Sequence, residues 1–103
     1  MLDYTHKHAY IDRMRYTHDP KKRAANLKKH GYDFGDVPHV IESARTVTFE
    51  DRRFDYDEQR FVTLGLLRGE VLVIITAETD EEIRVISMRK ALRNEEEIYY
   101  RNL

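Results

Sequence analysis

The feature that most restricts how this chain can fold is an unbroken aliphatic run, Val71, Leu72, Val73, Ile74 and Ile75. A half-solvated strand alternates apolar and polar residues. An unbroken run of this length instead belongs to a strand covered on both faces, at the centre of a sheet. It falls far short of the ~20 apolar residues that a membrane helix needs. Thr79-Asp80-Glu81 is polar and turn-compatible, so a second strand over Ile83 to Met88 is expected to fold back antiparallel beside the first. Simple alternation sends Ile83, Val85 and Ser87 to one face and Arg84, Ile86 and Met88 to the other. Arg84 then stands among apolar neighbours. Arginine is seldom buried alone, so this one must meet a carboxylate or an anionic ligand.

The rest of the chain arranges itself around that pair. Arg13 to His18 predicts a short strand at a sheet edge, since Pro20 follows closely. Asp19-Pro20 opens a helix that runs through His30 and stops at Gly31, with Lys28, Lys29 and His30 in its last turn. Ala24, Leu27 and Ala25 are its expected apolar contacts. Asp33 caps a second short helix, Phe34 to Glu42, interrupted by Pro38. Arg45 to Glu50 and Arg60 to Leu67 predict strands on either side of a charged hairpin loop, Asp51 to Glu58. Gly65 marks a bulge or a close backbone approach, and Arg68-Gly69-Glu70 a tight turn. Ala91 to Arg101 predicts a closing helix with Leu92 and Ile98 inward.

The expected domain is therefore α+β. It has a mainly antiparallel sheet of four to five strands, two N-terminal helices and one C-terminal helix. Residues 1–13 lack periodicity and are read as an N-terminal extension, leaving 14–103 as the domain.

Hydrophobic residues make up 41% and charged residues 36%, which predicts a modest core beneath a polar surface. The formal net charge of −1 argues against a generic nucleic-acid binder, but its distribution is uneven. Residues 1–31 carry 8 basic and 3 acidic side chains, residues 32–82 carry 5 and 13, and residues 83–103 carry 5 and 3. Separate basic and acidic patches with different partners are expected. The chain has no cysteine, hence no disulfide or thiolate metal site. No apolar spanning or leader segment is evident, so a cytoplasmic protein without a membrane partner is expected.

In order and spacing, several pieces resemble the BrnT family, the toxin half of a bacterial type II toxin–antitoxin pair with a RelE-like fold. They are Asp19-Pro20, Lys22, Asn26, Lys29-His30-Gly31 and Phe34, then Glu58, Arg60, Phe61 and Gly65. Ile83-Arg84-Val85-Ile86-Ser87, Arg89, Lys90-Ala91, Glu97 and Tyr100 complete the set. The resemblance spans roughly residues 15 to 101. It implies a metal-independent endoribonuclease that arrests translation and needs no cofactor. It also implies neutralisation by a BrnA-like antitoxin, with DNA bound only through that antitoxin; a dimer within the toxin–antitoxin complex is one arrangement it allows. The family usually has Trp before the Asp-Pro pair, where this chain has His18.

Metal-free RNA cleavage needs a base for the 2′-hydroxyl, positive charge on the scissile phosphate and an acid for the leaving oxygen. Arg60, Arg84 and Arg89 fit the second task, because the guanidinium fork matches phosphate oxygens and stays charged. Their alternative is cross-strand pairing with Glu58, Glu78 or Glu82. His30 is the candidate acid or base, since histidine ordinarily titrates near pH 6.5; its alternative is a helix-end hydrogen bond. Lys29, His18 and Tyr100 are candidate RNA contacts, the last by stacking. Ser87 lacks the His-Asp relay of a nucleophile. His6 and His8 are the nearest approach to a metal motif, and no metal site is expected. A rival reading is a non-catalytic antitoxin-binding module acting within a DNA-binding autoregulatory complex.

Overall fold

A computed structural model describes residues 2–4, 14–52 and 57–103. The elements in order are β1 (Leu2–Tyr4), β2 (Arg15–His18), α1 (Pro20–His30), a 3-10 turn (Phe34–Asp36) and α2 (Val37–Glu42). These are followed by β3 (Thr46–Asp51), β4 (Arg60–Leu67), β5 (Glu70–Glu78), β6 (Glu82–Lys90) and α3 (Arg93–Asn102). The strands form one sheet in the order β1-β3-β4-β5-β6-β2. β3 to β6 are the expected antiparallel meander. β2 is the expected edge strand, and it runs parallel to β6. A sixth strand lies at the other edge, where Leu2–Tyr4, in the stretch read as an extension, pairs antiparallel with β3. His6, His8 and residues 53–56 of the expected hairpin loop lie outside the described residues.

β5 owes its central place to the aliphatic run. Val71, Leu72, Val73 and Ile74 are each at most 2% exposed, and each such burial contributes about 1.5–3 kcal/mol. Leu72 and Ile74 face a core formed with Phe34, Val37, Val40 and Ile41. Val71 and Val73 face the opposite core, closed by Tyr99 of α3. The β4–β5 turn is a two-residue hairpin in which Arg68 and Gly69 both have positive φ, 49° and 82°. Gly65 is a close approach: a Cβ there would lie 2.5 Å from Val40 Cγ1.

Three inward-facing expectations are corrected. Ala24, Ala25 and Leu27 of α1 are exposed, and the buried residue is Asn26. Its amide donates to the Met88 carbonyl at 2.9 Å and accepts from the Met88 N–H at 3.1 Å. α1 thus lies along the edge of β6 and occupies the hydrogen-bonding position of a missing strand. In α3 the anchor is Tyr99, whose hydroxyl donates to the Arg45 carbonyl at 2.8 Å, whereas Leu92 is 62% exposed.

The third correction concerns β6. Ile75 pairs with Ser87 but Thr76 pairs with Val85, so Ile86 is the extra residue of a bulge. Beyond it the alternation inverts. Met88 joins Ile83 and Val85 in the helix-side core, while Ser87 turns to the other face. Among the described residues no helix is long and apolar enough to cross a membrane.

Candidate functional site

The bulge places all three candidate arginines on the α3 face of the sheet. Arg60, Ala77 and Arg84 stand in one row across β4, β5 and β6. Arg89 stands in a second row with Leu64 and Val73, four residues further along β5. That separation is about 13 Å along the strand. α3 stands beside the Arg89 end through Glu95, and all three arginine side chains are partly open: Arg60, Arg84 and Arg89 are 32%, 37% and 37% exposed.

Glu58, just before β4, joins Arg60 and Arg84. Arg84 Nη2 donates to both carboxylate oxygens at 2.6 Å, and Arg60 Nη2 lies 3.4 Å from one of them. The Arg84 hydrogen bonds, followed by those of Arg60, hold the Glu58 carboxyl below its ordinary titration range. Because both short bonds come from Nη2, the Nε and Nη1 protons of Arg84 are left without a partner among the described residues.

Arg89 is differently engaged. It binds Glu95 of α3 through two parallel bonds of 2.8 and 2.9 Å, and Glu95 also accepts from the Leu92 N–H at 2.8 Å. Arg89 and the Leu92 amide depress the Glu95 carboxyl. This pair ties the start of α3 to the sheet.

Arg84 thus meets a carboxylate, the first of the outcomes its setting predicts. Of the carboxylates weighed as arginine partners, Glu58 is the one used; Glu82 pairs with Arg15 at 2.7 Å, and Glu78 is buried and accepts from Thr76.

The remaining candidates are dispersed. Lys29 and His30 close α1 and line a cleft of about 240 Å³ against Ile86 and Ser87 at the β6 edge. His18 pairs with Val85 and meets the Phe34 ring edge-on, with centroids 6.2 Å apart, so it lies on the opposite, helix-side face. Tyr100 is exposed on α3, edge-on to the buried Tyr99. Sequence reasoning assigned no role to Asn26 and treated Glu58 only as an ion partner. The Glu58-x-Arg60 spacing, which sets Glu58 two residues before Arg60 at the entrance to β4, was the available signal. Beside α3, Phe49, Val62, Leu64 and Ile98 line an apolar groove of about 460 Å³. Among the described residues no group of three or more His, Asp or Glu side chains is arranged to hold a metal ion.

The family model described as "Ribonuclease toxin, BrnT, of type II toxin-antitoxin system" matches residues 18–95. The chain belongs to the BrnT family. The match begins at His18 and takes in Glu58 and all three arginines. Membership in a type II system implies a protein antitoxin as partner. A comparison with curated proteins finds no match.

Proposed function

We propose that this protein cleaves RNA through the Glu58–Arg60–Arg84 cluster, without a metal, and so inhibits translation. The carrying observation is that Arg84 holds Glu58 through one nitrogen and keeps Nε and Nη1 for an anion. A phosphate there shares the guanidinium groups with Glu58, which brings the neighbouring ribose 2′-hydroxyl to the carboxylate. The 2′-oxygen attacks phosphorus, and the bond from phosphorus to the 5′-oxygen breaks. Glu58 takes the hydroxyl proton, and the departing oxygen takes a proton from solvent, since His30 lies in the cleft at the β6 edge. The products are a 2′,3′-cyclic phosphate and a 5′-hydroxyl. Arg60 and Arg84 offset charge on the phosphate, while Arg89 borders the same face and fixes α3 beside it.

A BrnA-like antitoxin neutralises the activity, and DNA is contacted only through it. The test is cleavage of RNA by antitoxin-free protein in the presence of a chelator, with the ends of the fragments analysed. Cyclic phosphate ends support the reading; intact RNA refutes it. One observation favours the rival, a binding module without chemistry: all three arginines already hold carboxylates, as purely structural arginines do.

A further inference from the structure

The described arginines and lysines divide into two groups. Arg15, Arg23, Arg52, Arg60, Arg68, Arg84, Arg89, Lys90 and Arg93 each have an acidic partner. Arg45 and Arg101 have none among the described residues, and neither have Lys21, Lys22, Lys28 and Lys29, which all belong to the 11-residue helix α1. Four of these six cations therefore lie on one element.

Two of these lysines are aimed at a cleft. Lys22, Ala25, Asn26 and Lys29 have the i, i+3, i+4, i+7 spacing of one helix face, and this face lines the cleft against Ile86 and Ser87. The two small or edge-bound residues in the middle form its floor, and a lysine stands at each end, about 10 Å apart along the axis. The other wall leads to the arginines. Ser87 pairs with Ile75, two residues along β5 from Ala77, which stands between Arg60 and Arg84. The cleft thus begins about 7 Å from the row that holds them. The Ile86 bulge turns Ser87 toward that face, so Ser87 belongs both to the cleft lining and to the face that carries the arginines.

We infer that the α1–β6 cleft is a second anion subsite, in which Lys22 and Lys29 hold backbone phosphates of RNA flanking the nucleotide at Arg60 and Arg84. A nucleic-acid backbone fits better than an acidic peptide, because the two cations are spaced along the cleft rather than clustered. Contacts here are to phosphate and carry no base preference. The inference rests on the proposed RNA-cleaving role of the sheet face and extends that site around the sheet edge.

The test uses an uncleavable 2′-O-methyl RNA, whose affinity is measured against salt for three forms of the protein. These are the native chain, Lys22→Gln/Lys29→Gln, and Lys21→Gln/Lys28→Gln. The two double variants carry the same charge change on the same helix, and glutamine keeps its helix propensity. Each phosphate contact on a single strand contributes about 0.7 to the log–log salt slope. The Lys22/Lys29 variant is expected to lose about 1.4 from that slope, and the Lys21/Lys28 variant much less. Equal losses in the two variants, or none in either, overturn the subsite. Cleavage supplies the second readout: the Lys22/Lys29 variant cuts a longer RNA with raised KM, whereas the Lys21/Lys28 variant cuts it with a KM close to native. A slope difference without any cleavage would uphold the cleft and refute the proposed activity. Cleavage with equal slopes would do the reverse.

Discussion

Arg84 and Arg89 project from the same face of β6 although five positions, an odd number, separate them, because Ile86 is an extra residue in that strand. In a regular strand they would face opposite ways. The bulge thus aligns Arg89 with Arg60 and Arg84 on one face while sending Met88 into the helix-side core.

Deleting Ile86 restores regular alternation and exchanges the faces beyond it. Met88, fully buried, would turn outward and Arg89 would turn into the core. Loss of the Met88 packing and burial of an unpaired charge are each worth several kcal/mol, so a total of about 5 kcal/mol or more is expected. Denaturant unfolding should show the deletion variant unfolded or nearly so, whereas Ile86→Val retains the native midpoint within about 1.5 kcal/mol.

Asn26 occupies the strand position beside Met88, and its replacement exposes how much this edge contact matters. Asn26→Leu leaves the Met88 N–H and C=O without their partner at the sheet edge. Two unsatisfied backbone groups cost about 2–5 kcal/mol together. Hydrogen exchange should locate the loss at Met88 and in α1, with the β3–β5 ladder protected as before.

Gly65 and Val40 are expected to be coupled. A methyl group at 65 would meet Val40 Cγ1 at 2.5 Å and Thr46 Cγ2 at 3.1 Å. Gly65→Ala should destabilise by about 1–3 kcal/mol through overpacking. Combined with Val40→Ala, its cost should shrink, giving a coupling energy of about 1 kcal/mol in a double-mutant cycle. Strict additivity would show that α2 does not rest on that strand position.

Much of this fold was legible because β5 and β6 carry local signals. The aliphatic run gave the central strand, Asp19-Pro20 and Gly31 gave the bounds of α1, and Arg68-Gly69 gave the hairpin. What escaped was non-local. No propensity distinguishes a bulge at Ile86 from regular pairing, since the extra residue is defined only by what stands opposite in β5. The inward side of α1 was misread because an asparagine is buried by the strand edge it satisfies, not by its own polarity. Of the candidate site, the shared face of the arginines was readable in outline, but the joining role of Glu58 required the register of three strands.

The acid response of the native state has a defined sign. Asp33 accepts from Arg23 and from the Gly35 N–H, which lowers its carboxyl from 3.8 to about 2. The folded state therefore binds fewer protons than the unfolded chain between those values. The stability from this cap is fully present above about pH 4 and is lost as the pH falls toward 2. Glu58, Glu82 and Glu95, depressed by Arg84, Arg15 and Arg89 respectively, act in the same direction. Urea unfolding across that range should show Arg23→Gln less sensitive to acid than the native chain; equal sensitivity would mean that the Arg23–Asp33 pair has no role.

The most direct measurement of the central claim is the single-turnover rate of RNA cleavage by antitoxin-free protein carrying Glu58→Gln, Arg84→Ala or Tyr100→Ala. Removing the base is expected to slow cleavage about 10²–10⁴-fold. Removing the guanidinium is expected to slow it about 10²–10³-fold, with Tyr100→Ala close to native. Native rates in both the Glu58 and Arg84 variants would contradict the account, leaving the cluster as an ordinary cross-strand ion pair.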